Sequence, residues 1–280
     1  MNRRLDPKDI PQLQEHAENI RNICILAHVD HGKTTLSDSL VCANGFISAK
    51  LAGKLRFMDS MEEEQQRGIT MHTSAISLLY QMDEKFVAPS ADKSGPPPNT
   101  NYLINLVDSP GHIDFSSDVS TATRLCDGAL VLIDVLEGIC TQTHAVLYKA
   151  LKERMRPCLV LNKIDRLCLE LQLSPMEAYN HLRRIVEGTN ALAATLIHAE
   201  FGEDYFSNAS ETEAGTEKSD AQRIQEEWTF SPERGNVLFA SAYDCWGTNV
   251  MKFVNIWAKK WAGGINKGAL LKYIFDDYCY

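Results

Sequence analysis

The feature that most constrains the fold of this chain is a short apolar run that opens onto a glycine-bearing loop. Residues 23–27 (Ile-Cys-Ile-Leu-Ala) are continuously apolar and predict a buried strand. The loop 27–34 (Ala-His-Val-Asp-His-Gly-Lys-Thr) follows, and residues 34–42 predict a helix. Because the first turn of a helix leaves its N–H groups unpaired, such a strand–loop–helix unit favours an anion at the loop.

Further apolar segments alternate with helical ones along the rest of the chain. Residues 128–134 and 157–161 are continuous apolar runs, typical of parallel strands covered on both faces. Ser174-Pro-Met-Glu177 is a capping box with proline at the first helical position, so a helix begins there. The other predicted elements are strands 73–80, 102–107 and 237–240, and helices near 141–155 and 249–262. This alternation predicts an α/β fold with a doubly wound, mostly parallel sheet and helices on both faces. The strand–loop–helix unit around residues 27–34 makes the P-loop NTPase type of that fold the expected one.

The domain organisation follows from composition. We expect an N-terminal arm over residues 1–19 and one nucleotide-binding domain over 20–265, and residues 266–280 resemble the start of a linker to a further domain. Two insertions are expected within the domain, a proline- and serine-bearing segment at 82–101 and an acidic segment at 200–229. In the last helix, we expect Trp257 and Trp261 to pack against the sheet. The alternative is that they form, with Lys259 and Lys260, a basic aromatic patch for RNA.

Charge and hydropathy exclude several classes of protein. The net charge is −9, and residues 200–227 alone hold nine acidic and two basic side chains. The chain is therefore not a basic nucleic-acid clamp, and any RNA would be contacted locally. No apolar run reaches the roughly 18 residues of a membrane span, and the N-terminus has no apolar signal segment, so we expect no membrane association.

The cysteines and histidines give little sign of a metal motif. None of the eight cysteines forms a C-x-x-C pair, which disfavours a zinc or redox motif and is typical of a reducing compartment. His28 and His31 flank Asp30, but their place in a phosphate loop favours backbone geometry over metal binding. Asp30 adds negative charge beside a polyanion. Either a monovalent cation bridges Asp30 and the phosphates, or the Asp30 side chain caps the loop backbone.

The loop supplies the first set of candidate nucleotide contacts. Gly32, Lys33 and Thr34 have the spacing of a phosphate-binding loop, with Ala27 where the first glycine is usual. We expect Lys33 to reach the β- and γ-phosphates and the Thr34 hydroxyl to bind Mg²⁺. The full candidate set in this loop is His28, Val29, Asp30, His31, Gly32, Lys33, Thr34 and Thr35.

A second motif, Asp108-Ser-Pro-Gly-His112, follows an apolar strand. We expect the Asp108 carboxylate to hold Mg²⁺ through water and the Gly111 amide to meet the γ-phosphate. His112 would then position the attacking water and is the candidate catalytic residue, because phosphoryl transfer depends more on positioning than on a strong base. Thr70, in Arg-Gly-Ile-Thr, lies where a mobile loop would offer a further hydroxyl to Mg²⁺.

Two further motifs predict the base. Asp165, in Asn-Lys-Ile-Asp, can accept hydrogen bonds from the ring N–H and exocyclic amine of guanine, a pattern that adenine does not present, so GTP and GDP are the expected ligands. Asn162 is expected to hold the other base edge and tie the loops together, while Lys163 covers the base plane. Ser241 and Ala242, after the last core strand, would back the base through a main-chain amide.

With these motifs together, the chain resembles the GTPase domain of translation-type GTPases over roughly residues 18–265, in the elongation factor two-like branch. That family shares A-H-V-D-H-G-K-[ST], R-G-I-T, D-x-P-G-H and N-K-x-D, and all four are present. The segments that are more similar to the elongation factor-like GTPases of ribosome assembly than to the translocases are 51–60, 230–237 and 241–247.

The resemblance implies a cytoplasmic, monomeric GTPase that acts on the large ribosomal subunit. In the assembly branch, hydrolysis is coupled to release of an anti-association factor together with a release partner. The translocase branch uses the same chemistry in polypeptide elongation. A third alternative is a GTP-binding module with little hydrolysis of its own.

Overall fold

The computed structural model describes most of the chain. The described residues are 6, 8–48, 50–51, 53, 55–59, 61–67, 70, 72–82, 101–110, 116–201 and 220–260. The strands are β1 Ile20–Ala27, β2 Ser74–Gln81, β3 Asn101–Asp108, β4 Gly128–Asp134, β5 Arg156–Asn162, β6 Val237–Ser241 and β7 Trp246–Thr248. All six strands expected from the sequence are present, and β7 is an additional short edge strand.

The helices of the described residues are α1 Ile10–Gln14, α2 Lys33–Ala43, α3 Glu62–Arg67, α4 Ser116–Arg124, α5 Thr141–Lys152, α6 Asp165–Leu169, α7 Pro175–Phe201, α8 Asp220–Glu227 and α9 Val250–Lys260, with 3₁₀ turns at Ala17–Asn19 and Pro232–Arg234. The four predicted helices, α2, α5, α7 and α9, lie close to their expected positions, and five further helices are present among the described residues. The capping box is confirmed at the start of α7. The Ser174 N–H donates to Glu177 Oε2 at 2.9 Å, and the Glu177 N–H donates to Ser174 Oγ at 3.4 Å.

The sheet confirms the predicted α/β fold. Its seven strands have the order β2-β3-β1-β4-β5-β6-β7. The parallel pairs include β1 with β3 and β5 with β6, whereas the edge strands β2 and β7 pair antiparallel with β3 and β6. A mostly parallel sheet with antiparallel edges and crossover helices on both faces is the doubly wound arrangement.

The chain divides into two units, one of residues 1–26 with 33–128 and the other of residues 27–32 with 129–280. In the first unit, Leu13 of the N-terminal segment is buried with Leu79 and Leu103, so part of the predicted arm packs into a core. In the second, Leu132, Ile133, Leu147, Leu151, Leu159 and Leu161 are fully buried and supply an aliphatic core.

The last helix differs from the expectation. Val250 and Val254 are its buried side chains, whereas Trp257 is 49% exposed and Phe253 is 45% exposed. The prediction that Trp257 packs against the sheet is therefore wrong. Only one narrow stripe of α9 is buried, and Val250 and Val254 fill it at helical spacing.

The predicted insertions lie largely outside the described residues, as do residues 261–280 with the expected linker and Trp261. Of 82–101, the described part is limited to residues 82 and 101, the latter already in β3. Of 200–229, residues 220–227 form α8 and Trp228 is buried. The chain after α8 is fixed by Asn190, which exchanges two 2.8 Å hydrogen bonds with the main chain of Phe230.

Candidate nucleotide-binding site

The phosphate loop joins β1 to α2, and its geometry requires glycine at one position. Gly32 has a φ of +95°, and a Cβ there would lie 2.6 Å from the Asn162 side-chain nitrogen. Any other residue would therefore be strained and would collide with Asn162. Asp30 also has positive φ, at 62°. Its exposed carboxylate makes no hydrogen bond to the loop backbone among the described residues, so the capping alternative is not observed.

Asn162, at the end of β5, connects the phosphate loop to the turn after β6. Its side-chain N–H donates to the His31 carbonyl at 2.9 Å. Its side-chain oxygen accepts from the Ala242 N–H at 3.0 Å. Because Asn162 is almost fully buried, both ends of the amide are satisfied by main chain rather than by water.

Lys163 makes a second connection in the same unit. Its Nζ donates at 2.7 Å both to the Asp30 carbonyl and to Asp134 Oδ2. Asp134 is fully buried and also accepts from the Leu136 N–H at 2.9 Å. The ammonium and the carboxylate therefore compensate each other's charge. We call Asn162, Lys163, Asp134 and the main chain that they bind the base-side cluster.

The remaining base-reading candidates lie near this cluster in sequence and fold. Asp165 begins α6 and is half-buried, and its carboxylate accepts no hydrogen bond from the described residues. Ser241 is buried, and its hydroxyl donates to Asp244 Oδ2 at 2.9 Å and accepts from the Asp244 N–H at 3.3 Å. The Ser241 side chain thus stabilises its own turn, which is compatible with base contact through main chain.

In the other unit, the structure brings together the predicted cation ligands Thr34 and Thr70. Their hydroxyl oxygens are 2.9 Å apart, and the Thr70 hydroxyl donates to Asp59 Oδ1 at 2.8 Å. Since the Thr70 proton goes to Asp59, the Thr34 hydroxyl donates to Thr70. Thr70 is 6% exposed although the sequence places it in a loop.

Asp108 is the most unusual group of this unit. Its side chain is fully buried, and neither carboxylate oxygen has a hydrogen-bond partner among the described residues. Burial raises the pKa of Asp108 to about 7, and the cationic Lys33 and the nearby Ser37 hydroxyl only partly oppose that rise. The Ser37 hydroxyl donates its proton to the Lys33 carbonyl at 3.2 Å and so does not pair with the carboxylate. An unpaired buried carboxylate costs free energy, so this position fits a bound cation.

Asp59 and Asp38 are members of this site that sequence reasoning missed. Both are buried, Asp59 pairs with Arg56 at 2.6 Å, and Asp38 accepts from the Phe57 N–H at 2.8 Å while its second oxygen is unpaired. Their charges contribute to the raised pKa of Asp108. We call Thr34, Thr70, Asp38, Asp59 and Asp108 the cation-side cluster.

Of the other predicted nucleotide contacts, the structure describes some residues but not others. Gly111 and His112 lie outside the described residues, so their assignment remains a prediction. Thr35 is half-buried in α2, and a Cβ on Gly53 would lie 3.1 Å from its methyl group. In the described residues, no helix has the length and apolar character needed to cross a membrane.

Comparison with known proteins points to one family. The model of the elongation factor Tu GTP-binding domain matches residues 18–276. The human protein named elongation factor-like GTPase 1 is 48% identical over 279 residues, covering 95% of this chain and 23% of the relative.

Two yeast proteins named ribosome assembly protein 1 are also similar. The Schizosaccharomyces pombe protein is 48% identical over 278 residues, and the Saccharomyces cerevisiae protein is 45% identical over 275. Each alignment covers 98% of this chain, and the chain spans 25% and 24% of the two relatives. The resemblance to translation-type GTPases is thus confirmed: the chain belongs to the elongation factor Tu GTP-binding domain family and is a GTPase domain.

Proposed function

We propose that this domain hydrolyses GTP to GDP and phosphate in a Mg²⁺-dependent reaction on the large ribosomal subunit, during its cytoplasmic maturation. Release of an anti-association factor would follow hydrolysis. The observation that carries the Mg²⁺-dependent chemistry is the buried, unpaired carboxylate of Asp108 in a unit that also holds the Thr34 and Thr70 hydroxyls. The biological step is supported by the names of the yeast relatives.

The cation-side cluster fits Mg²⁺, which prefers oxygen ligands such as carboxylates, hydroxyls and water. Thr34 and Thr70 would hold it by their hydroxyls and Asp108 through water. When bound with GTP, Mg²⁺ would neutralise charge on the β- and γ-phosphates. Lys33 directly precedes Thr34 and would add a charge-assisted contact to the same phosphates.

The base-side cluster fits guanine recognition. Asp165 offers a carboxylate without a hydrogen-bond partner among the described residues, and the N–H groups of guanine would satisfy it. Asn162 and Lys163 hold the neighbouring main chain in place through their hydrogen bonds to His31, Ala242 and Asp30. Such a preformed site loses little conformational entropy when the base binds.

Hydrolysis requires a positioned water, and we assign that role to His112 from its sequence motif. Gly111 would place its amide against the γ-phosphate, and His112 would orient the water in line with the scissile bond. A monovalent cation beside Asp30 is a further part of the proposal. Lys163 binds the Asp30 carbonyl, whereas the exposed Asp30 carboxylate has no hydrogen-bond partner among the described residues and would serve as a ligand for the cation.

Single-turnover GTP hydrolysis with and without large ribosomal subunits tests the proposed reaction. We expect stimulation by the subunit in the parent chain and a loss of about 10²–10⁴-fold in His112→Ala, with GTP affinity kept. His144→Ala is the matched control, because His144 is exposed on α5. Unchanged stimulated turnover in His112→Ala would overturn the catalytic role, and no stimulation of the parent would overturn the ribosomal partner.

The biological step requires a separate experiment. The full gene should rescue subunit joining in cells that lack the assembly GTPase. Rescue of peptide elongation instead would identify a translocase and contradict the proposed maturation role.

A further inference from the structure

Three ligand-bearing side chains of the second unit converge outside the two clusters described above. His28, Glu137 and Cys140 each present one donor atom, and these atoms all lie within 4.8 Å of one another. His28 belongs to the phosphate loop, while Glu137 and Cys140 lie between β4 and α5. Cys140 is a free thiol. Imidazole, thiolate and carboxylate together suit a borderline transition-metal ion and not Mg²⁺, which takes oxygen ligands.

The orientation of His28 leaves one nitrogen available. His28 Nδ1 lies 2.6 Å from the Gln142 side-chain oxygen, which can only accept, so Nδ1 carries the proton. His28 Nε2 therefore keeps a free lone pair. A metal-bound histidine usually donates its other ring N–H to a protein oxygen, and His28 Nδ1 makes such a contact with Gln142.

His31 offers a second imidazole beside Glu137 and Cys140. Its Nδ1 lies 3.2 Å from the Leu132 carbonyl, and its Nε2 lies 3.3 Å from Glu137 Oε2 and 3.7 Å from Cys140 Sγ. Ligands of a tetrahedral Zn²⁺ with bonds of about 2.0–2.3 Å are separated by roughly 3.3–3.7 Å. The His31 distances match that spacing. The metal-free alternative is the other tautomer, which accepts from the Asp134 N–H at 3.3 Å and donates to Glu137.

We propose that His28, His31, Glu137 and Cys140 form a binding site for Zn²⁺ or a closely similar divalent transition metal. Binding displaces the Cys140 thiol proton to solvent, and no electron transfer is involved. Two neutral imidazoles, one thiolate and one carboxylate then carry two negative charges, which balance the divalent ion.

The consequence of such a site is a link between the phosphate loop and the segment after β4. An ion held by His28 and His31 together with Glu137 and Cys140 would fix the position of the loop main chain. Since the same loop is assigned to the nucleotide, ion and nucleotide affinities should be coupled, and each should change the other by the same factor.

Co²⁺ is the spectroscopic probe for this site. Chelator-stripped, untagged protein with excess Mg²⁺ and no nucleotide is titrated with Co²⁺ and then with Zn²⁺. We expect one equivalent of Co²⁺ to give a thiolate charge-transfer band and the intense visible bands of tetrahedral coordination, and Zn²⁺ to abolish both. Cys140→Ser should remove the charge-transfer band, and Glu137→Gln should weaken Zn²⁺ binding by about tenfold or more.

The variants are chosen so that loss of folding does not explain the result. Cys140 directly precedes α5, and serine is favoured at such a helix start, so Cys140→Ser should preserve the helix. Glu137 is half-exposed, and Cys168→Ser, at an exposed thiol on α6, is the matched control that should keep the band. A weak octahedral spectrum without a thiolate band in the parent would overturn the proposal. A band that persists in Cys140→Ser, or that disappears in Cys168→Ser, would also do so.

Discussion

The base-side and cation-side clusters differ in how their buried polar groups are satisfied. In the base-side cluster, both ends of the Asn162 amide and the Lys163 ammonium have protein partners at 2.7–3.0 Å. In the cation-side cluster, both oxygens of Asp108 and one of Asp38 have none among the described residues. The first cluster is complete without a ligand, whereas in the second Lys33 and Arg56 offset only part of the negative charge of the three carboxylates.

This difference has a thermodynamic consequence. Hydrogen bonds between two buried protein groups stabilise the fold. Removing one of the two groups leaves the other unpaired. An uncompensated buried carboxylate destabilises the fold until a cation arrives. Mutation should therefore lower stability in the base-side cluster and raise the stability of the ligand-free protein at Asp108.

The largest effect is expected for Asn162→Ala. The change removes the side-chain partner of the His31 carbonyl and of the Ala242 N–H, at a cost of about 2–5 kcal/mol in the free energy of unfolding. GTP affinity should fall as well, because the phosphate loop and the base-side turn lose their connection. Urea unfolding and fluorescent-nucleotide titration measure the two effects.

Asn190→Ala is the matched control for that experiment. Asn190 also makes two main-chain hydrogen bonds, both to Phe230, so its removal should lower stability in the same way. It should leave GTP affinity unchanged in protein that remains folded. Equal GTP affinity in the two variants would show that Asn162 does not organise the nucleotide site.

Asp108→Asn should raise the free energy of unfolding of the ligand-free protein, whereas Asn162→Ala lowers it. The folded-state pKa is raised to about 7, so between its ordinary value and pH 7 the folded protein holds a proton that the unfolded chain lacks. That carboxyl therefore makes stability fall as pH rises through this window. Asparagine does not titrate, so the variant should be more stable at pH 8 without Mg²⁺ and nucleotide, by up to about 4 kcal/mol.

Two observations check the cause of this effect. The stability difference should close as the pH is lowered toward 4, and Mg²⁺–GTP should raise the melting temperature of the parent more than that of the variant. A variant that is less stable than the parent at pH 8 without ligands would mean that Asp108 has a partner in solution.

These two clusters also separate what the sequence could predict from what it could not. The phosphate loop and the Asn162–Asp165 motif are continuous in sequence and follow apolar strands, so local patterns place them correctly. Asp38 and Asp59 gave no such signal, because a carboxylate in a helix or loop is usually solvated. Their burial depends on the segment 55–59 lying against α2, as the Phe57–Asp38 hydrogen bond shows, and no local pattern encodes that contact.

The proposed metal-binding cluster could not be predicted from the sequence, because its members lie far apart along the chain. His28 and His31 were visible as a pair, but their partners Glu137 and Cys140 follow more than a hundred residues later and form no motif of their own. The wrong prediction for Trp257 on α9 has a different cause. Its apolar pattern is helical, but the pattern does not say how wide a stripe the sheet covers.

A smaller effect, on specificity, is expected for Asp165→Asn. The amide would donate where the carboxylate accepts, so preference should move from guanine toward xanthine by roughly 1.5–3 kcal/mol for the charged hydrogen bonds exchanged. Competition between GTP and XTP measures the shift. Asp244→Asn is the control, because Asp244 bonds Ser241 within its turn and should not alter base preference. If both variants keep the parent's margin for GTP, Asp165 does not read the base.

The smallest effect is expected for Thr70→Val, which tests whether the cation-side cluster is partly preformed. Valine keeps the shape but removes the hydroxyl that donates to Asp59 and accepts from Thr34, at a cost of about 1–2 kcal/mol in the free energy of unfolding. Asp59 keeps its ion pair with Arg56, which limits the loss. Thr70→Ser retains the hydroxyl and should restore both stability and Mg²⁺-dependent GTP binding. If valine lowers Mg²⁺-dependent binding without lowering stability, the Thr70 hydroxyl serves the cation alone, and the whole cation-side cluster then depends on its ligand. If valine lowers stability without affecting Mg²⁺-dependent binding, Thr70 is a structural partner of Asp59 and not a cation ligand.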